Sequence, residues 1–140
     1  MNFKIVTLKG VKIDQEIYEV MLPTPEGKIA VFPDHEALVT LAVPGEVAVR
    51  RNKEDLDDKL EFFAVSGGVV EIANNKIRVL VDEADHSDDI IESESRMALE
   101  RANDMKKNAA NQVELDKALE LVDRHAVRLR VAELRRRHRG

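Results

Sequence analysis

His35 is the side chain whose neighbours best suit proton transfer or metal binding, because Asp34 and Glu36 flank it within Phe32-Pro33-Asp34-His35-Glu36. A carboxylate beside an imidazole can orient a general base, and the same groups can ligate a divalent ion. The set goes no further. No second histidine lies at metal-site spacing, and His86, His125 and His138 fall in linker or helical stretches. The residues around His35 are turn formers, so a hydrogen-bonded loop or interface histidine is the expected role. Ser66-Gly67-Gly68 lacks the flanking glycines and the strand-to-helix exit of a nucleophile elbow, and reads as a turn between strands. Pro23-Thr24-Pro25-Glu26-Gly27-Lys28 has a Gly-Lys pair without the spacing or the following helix of a phosphate loop. The absence of cysteine removes disulfides, thiolate zinc sites and cysteine nucleophiles together, and fits a reducing compartment. No catalytic set and no metal site are expected.

Charge gives a stronger signal. The net charge is -5, yet residues 1–88 carry 10 Lys and Arg against 17 Asp and Glu, whereas residues 124–140 carry seven Arg against Glu133 alone. Arg128, Arg130, Arg135, Arg136, Arg137 and Arg139 lie at or beyond the end of an amphipathic stretch. Cations there favour the helix C-terminal dipole, but five arginines in the last eleven residues exceed what a cap requires. A basic tail on an acidic body predicts an acidic partner. Nucleic acid is one candidate, but the tail lacks interleaved aromatics for base stacking, and an acidic protein surface fits better.

Two kinds of element must position these groups. From Met1 to about Val81 the pattern has period two, as in Phe3/Ile5, Val47/Val49 and Ile77/Val79/Val81, with turn chemistry at Pro25-Glu26-Gly27, Pro44-Gly45, Arg51–Asp55 and Asn74-Asn75. This predicts an antiparallel β-sandwich or flattened barrel over residues 1–86, an α+β chain overall. The alternation through Lys9 reads as one strand. From residue 82 Gly and Pro stop until Gly140, and residues 87–140 are expected to form an antiparallel two-helix hairpin. Asp89 with Glu92 predicts a capping box for the first helix, and Asn111 with Glu114 a cap for the second. Ile91, Ala98, Ala102, Met105 and Ala109 mark the first helix; Leu115, Leu119, Val122, Ala126 and Leu129 mark a narrow seam on the second. A hairpin this small buries little area, so it must dock on the sheet or on a partner, and that weakness opens the way to a switch. No apolar run approaches the roughly 20 residues of a membrane span, and Met1–Gly10 has no continuous apolar stretch of the signal-peptide kind.

The order of these pieces resembles the epsilon subunit of bacterial and chloroplast F-type ATP synthases over essentially the whole length. The resemblance is carried by Glu26-Gly27-Lys28-Ile29-Ala30-Val31-Phe32-Pro33-Asp34-His35-Glu36-Ala37-Leu38, by Leu41-Ala42-Val43-Pro44-Gly45-Glu46-Val47, by Phe63–Ile72 with Asn75, and by Leu129-Arg130-Val131-Ala132-Glu133-Leu134. It implies a central-stalk subunit with no catalysis of its own, peripheral on the cytoplasmic face of the bacterial plasma membrane, that couples proton flow to ATP synthesis. It implies contact of Glu26, Gly27, Lys28 and Ile29, in the Glu26–Ala30 loop, with the c-subunit ring, and of His35 with the gamma subunit. It implies a movable hairpin whose Arg128, Arg130, Arg135, Arg136 and Arg137 meet an acidic segment of the catalytic beta subunits in the alpha/beta head and restrain ATP hydrolysis. The chain departs from the family pattern at Lys28, where many relatives carry Glu, and at Ala30 and Asp34, where glycines are common.

Some relatives bind ATP as a regulatory ligand through an Ile-Asp-x-x-Arg-Ala motif. Here the segment reads Ile90-Ile91-Glu92-Ser93-Glu94-Ser95-Arg96, so the motif's arginine falls on Glu94 or Ser95. Ile91, Glu92, Arg101, Arg124 and Arg128 are the residues such a site would use, and Arg101, Arg124 and Arg128 match arginines near that nucleotide. Three functions therefore follow from the sequence: a torque-transmitting and hydrolysis-restraining subunit, an ATP-sensing hairpin, and a free adaptor whose basic helix grips nucleic acid.

Overall fold

The computed structural model describes residues 1–139, with side chains through Arg137; the side chains of His138 and Arg139, and all of Gly140, lie outside the described residues. Ten strands come first: β1 (Asn2–Thr7), β2 (Gly10–Glu16), β3 (Glu19–Thr24), β4 (Gly27–Val31), β5 (Leu38–Ala42), β6 (Gly45–Arg50), β7 (Glu61–Val65), β8 (Gly68–Ala73), β9 (Lys76–Val81) and β10 (Ala84–His86). They form two five-stranded sheets, ordered β2-β1-β9-β8-β5 and β10-β7-β6-β3-β4. The helices α1 (Glu92–Lys107) and α2 (Gln112–Arg139) follow.

Alternation builds the interior. Phe3 and Ile5 of β1, Val20 and Leu22 of β3, Val47 and Val49 of β6, and Val79 of β9 are fully buried between the sheets, while Lys4 and Arg78 face out. Asn74 and Asn75 take φ of 52° and 59°, which is the backbone a two-residue hairpin between β8 and β9 requires. Pairing is antiparallel except between β1 and β9, which run parallel in the middle of the first sheet. Seven strands, β2 to β8, lie between these two in sequence, so no tight turn constrains their sense.

The single strand expected through Lys9 is a hairpin. The chain reverses at Leu8-Lys9, and Gly10 re-enters at φ 114° as the start of β2. β2 is an exposed, mostly polar edge strand with only Ile13 packed against the core, so it carries little alternation to read.

Strands β6 and β7 are buried on both faces. Their inner side chains join the sandwich core; Ala48, Phe62 and Ala64 on the outer face join Leu60, Ile90, Val131 and Ala132 in a second cluster beneath α2. The antiparallel hairpin thus packs on the second sheet through α2, with α1 laid against α2.

Two helix expectations need correction. The expected Asp89/Glu92 capping box does not form: Asp89 ends a one-turn 3-10 helix (Ser87–Asp89), and α1 starts after Ile91 with no side-chain cap. Ile90 is only 6% exposed in the second cluster. Burying such a side chain is worth about 1.5–3 kcal/mol, against about 1 kcal/mol for a cap, so packing sets the start. The second cap forms as expected: Asn111 Oδ1 accepts the Glu114 N–H at 2.9 Å, and Glu114 Oε2 accepts the Ala110 N–H at 2.8 Å. The narrow seam on α2 is also displaced. Ala118, Val131 and Ala132 are the buried residues, whereas Leu119 and Ala126 are exposed. Because α2 touches both α1 and the sheet, its buried stripe is broader than a coiled-coil seam and rotated from it. On α1, Ser95 and Ala102 are buried while Met105 is exposed, as is Ile91 just before its first turn.

Candidate functional site

The expected ring-contact residues sit at the β3–β4 hairpin. Only Pro25 and Glu26 form the turn, so the Glu26–Ala30 loop is mostly strand β4. Thr24 Oγ1 donates to the Gly27 carbonyl at 2.5 Å, and Gly27 holds φ 114°. Glu26 and Gly27 are exposed at the tip; Ile29 packs against the core. Lys28 turns back along the sheet and ion-pairs with Glu46 of β6, which is 6% exposed. Burial alone would raise the Glu46 carboxyl, but the Lys28 hydrogen bond and charge, with Arg130 adding, hold it below its ordinary range.

His35 lies at the other end of β4, in the loop that joins it to β5, so the expected ring contact and gamma contact are separate surfaces. The loop is pinned at a distance in sequence. Asp34, at φ 66°, donates its N–H to Asn75 Oδ1 at 2.6 Å, and Asn75 Nδ2 donates to Asp34 Oδ1 at 3.1 Å. Tyr18 meets Phe32 edge-on with centroids 5.7 Å apart. His35 Nδ1 donates to the Glu36 backbone carbonyl at 2.7 Å. The Asp34 carboxylate accepts from Asn75, and the imidazole's hydrogen bond goes to a backbone carbonyl instead of a carboxylate that could orient it as a base. Among the described residues no three metal-capable side chains gather.

One surface escaped the sequence reading. On the outer face of the first sheet, register aligns Leu41 with Val69, Val69 with Leu80, Leu80 with Val6, and Val6 with Val11. An apolar row therefore crosses all five strands, half-buried at its centre and 60% exposed at both Leu41 and Val11, with Val39 beside it at 73%. The neighbouring row holds the Glu71–Arg78 and Lys4–Asp14 pairs. The signal was present: Val6, Leu80 and Val69 fall on the alternation's outward phase, where polar residues are the norm.

The arginines of α2 are engaged by the body of the chain. Arg124 Nε lies 3.2 Å from Glu83, Arg128 Nη1 3.2 Å from Asp85, Arg130 Nη2 3.4 Å from Glu46, and Arg135 Nε 2.6 Å from Asp88. Arg136 Nη2 reaches Glu92 at the start of α1 at 3.6 Å, and Arg137 is exposed. Such half-exposed pairs contribute roughly 0–1 kcal/mol each. Together they suit an element that is held but releasable.

The residues expected at a nucleotide site are only partly brought together. Arg124 and Arg128 line a cavity of about 260 Å³ between α2 and the Ser66-Gly67 turn, along with Asp82, Glu83, Asp85, Glu120 and Asp123. Ile91, Glu92 and Arg101 are not on its walls. Ile91 is 55% exposed at the start of α1, and Glu92 is taken by Arg96 and Arg136. His125, half-buried on α2, has its basicity lowered by burial and by the charges of Arg128, Arg124 and Arg101.

Comparisons with known proteins place the chain in a family. Residues 1–87 match the family described as ATP synthase, Delta/Epsilon chain, beta-sandwich domain. An ATP synthase epsilon chain of Herpetosiphon aurantiacus is 32% identical over 136 residues, covering 97% of this chain and 96% of its own. That of Chloroflexus aggregans is 29% identical over 134 residues, covering 96% and 93%. Among solved structures, a chain in the Euglena gracilis mitochondrial ATP synthase (OSCP/F1/c-ring, rotational state 1) superposes with a TM-score of 0.75 at 18% identity, covering 89% of this chain and 76% of that one. A chain in the Tetrahymena thermophila mitochondrial ATP synthase central stalk and c-ring gives 0.61 at 14% identity, covering 94% and 96%. At these identities the structural likeness shows the shared fold.

Proposed function

The chain belongs to the delta/epsilon-chain family of ATP synthase subunits, and from that membership we propose that it rides on the rotor of a proton-driven F-type ATP synthase, coupling rotation to synthesis and restraining hydrolysis. It is a non-catalytic subunit. The observation that carries the rotor role is the apolar row from Leu41 to Val11 on the outer face of the first sheet. A row of this kind, rimmed by ion pairs, has the composition of a protein interface, and it faces away from the docked hairpin. In this reading the gamma subunit covers the row together with the His35 loop. Glu26 and Gly27 at the hairpin tip, with Lys28 and Ile29 behind them, meet the c-subunit ring. The sandwich (residues 1–86) is the rotor-binding unit, and residues 87–140 are the regulatory one. The chain reaches the bacterial plasma membrane, on its cytoplasmic face, only through the complex. Among the described residues no helix is long and apolar enough to cross a bilayer.

Restraint of hydrolysis falls to α2. Released from the sheet, Arg128, Arg130, Arg135, Arg136 and Arg137 would present a basic face to an acidic segment of the beta subunits. A tagged chain pulled from native membranes is expected to bring gamma and c with it. A version ending before Asp89 should still assemble and should raise ATP hydrolysis by the purified complex. Loss of gamma from the pull-down would remove the rotor reading. Unchanged hydrolysis, with unchanged activation by detergent, would remove the inhibitory one.

A further inference from the structure

The segment 82–94 reads Asp82-Glu83-Ala84-Asp85-His86-Ser87-Asp88-Asp89-Ile90-Ile91-Glu92-Ser93-Glu94, with seven carboxylates in thirteen residues. It begins where β9 ends, runs through β10 and the 3-10 turn, and enters α1. Along this path Glu83, Asp85, Asp88 and Glu92 meet Arg124, Arg128, Arg135 and Arg136 in order, so the acidic segment runs beside the C-terminal half of α2. Glu46 takes Arg130 from the sheet. Of the five arginines proposed to grip an acidic partner, four are thus already held by acids of the same chain.

The geometry points to an internal decoy: segment 82–94 imitates the acidic surface that α2 is built to meet, so the partner and the body compete for one set of arginines. The identity of that partner rests on the reading given above; the competition does not. Each ion pair is half-exposed and weak alone, yet those of Arg124, Arg128 and Arg135 lie on one rigid helix and break together when it lifts from the segment, whereas Arg136–Glu92 ties α2 to the start of α1. The apolar cluster beneath α2, with Phe62, Leu60 and Ile90 its largest buried members and Met21, Val127 and Leu134 packed against it, supplies most of the attachment, and the ion pairs set the margin by which the helix stays docked. Charge repulsion adds direction. When α2 leaves, Asp89 keeps Lys12 and Glu92 keeps Arg96, but Glu83, Asp85 and Asp88 lose their arginines along one short path, which favours re-docking unless another acidic surface has taken the arginines. The device would then be sensitive to ionic strength, since salt screens half-exposed pairs and leaves the apolar cluster in place.

The absence of cysteine makes the test direct. A cysteine placed at Ala48, 5% exposed in the cluster beneath α2, reacts with a maleimide only when the hairpin lifts. In the isolated full chain, Glu83→Gln, Asp85→Asn and Asp88→Asn combined are expected to raise the labelling rate about tenfold. Raising salt should speed the parent chain and leave the triple variant nearly unchanged. Polyglutamate at low salt should speed the parent as well, and an uncharged polymer should not. Glu71→Gln, which removes an acid on the far sheet, serves as control and should label like the parent. Equal labelling of parent and triple variant, or indifference to polyglutamate, would overturn the decoy. The same triple variant in the assembled complex should restrain hydrolysis more strongly. Faster labelling with unaltered hydrolysis would uphold the competition and overturn the inhibitory role of α2 instead.

Discussion

Asp34 and Asn75, forty-one positions apart, exchange two hydrogen bonds while both hold a positive φ. The exchange offsets the strain of a left-handed backbone that costs a non-glycine residue roughly 1–2 kcal/mol. Replacing Asn75 with Ala removes both bonds and leaves a β-carbon in the same conformation. Denaturant unfolding is expected to show a loss of about 2–3 kcal/mol. Asn75→Gly keeps the backbone free and should recover about half of that. If Ala and Gly behave alike, conformation at Asn75 is not what the side chain secures.

The outer row makes a separable prediction. Leu41 is 60% exposed and Val39 73%, so Leu41→Asp should change stability by no more than about 0.5 kcal/mol. Covered by a partner, the same change strands a charge in apolar contact, and a loss of about 2 kcal/mol or more in gamma binding is expected. Pull-down of gamma with the variant, set beside its melting curve, separates the two effects. Full retention of gamma would place the interface elsewhere.

How far the sequence revealed all this depends on how many neighbours each residue has. Strands covered on one face, such as β1 and β9, declare themselves through alternation. Phe62-Phe63-Ala64-Val65 does not alternate, because the sandwich buries Phe63 and Val65 while α2 buries Phe62 and Ala64; a continuous apolar run is the mark of a doubly covered strand. The start of α1 was misplaced for a related reason, since the pull of the second cluster on Ile90 has no local trace. Arginine excess and acidic segment were both visible as composition, and the basic tail implied an acidic partner. That the first such partner lies in the same chain is a property of the packing.

The cavity beneath α2 bears on nucleotide binding. Arg124 and Arg128 face it, but each is paired, and Asp82, Glu120 and Asp123 add negative charge to its walls. A triphosphate entering there would meet carboxylates before cations. Calorimetry of the isolated chain with Mg-ATP is therefore expected to show no heat of binding. A measurable heat, abolished by Arg124→Ala, would show that the pairs with Glu83 and Asp85 yield to phosphate.

His125 gives the hairpin a dependence on pH whose sign is fixed by its surroundings. It is half-buried on α2; Arg128 and Arg124 act on it from the same helix, Arg101 from α1, and Glu83 from the body opposes them. Burial comes first among the causes and the arginines add to it, so the folded chain holds this imidazole neutral below its ordinary value of 6.5. Between that value and the lower folded one, the unfolded chain binds more protons than the folded chain, so stability falls as pH falls through this window. The stabilisation is fully present above 6.5. His125→Gln, neutral throughout, removes this contribution alone. Melting temperatures between pH 7.5 and about 5.5, above the range in which ordinary carboxyls titrate, should therefore drop more steeply in the parent than in the variant. Parallel curves would mean that the imidazole takes up its proton equally well in both states, and that the arginines around it are too well solvated to oppose it.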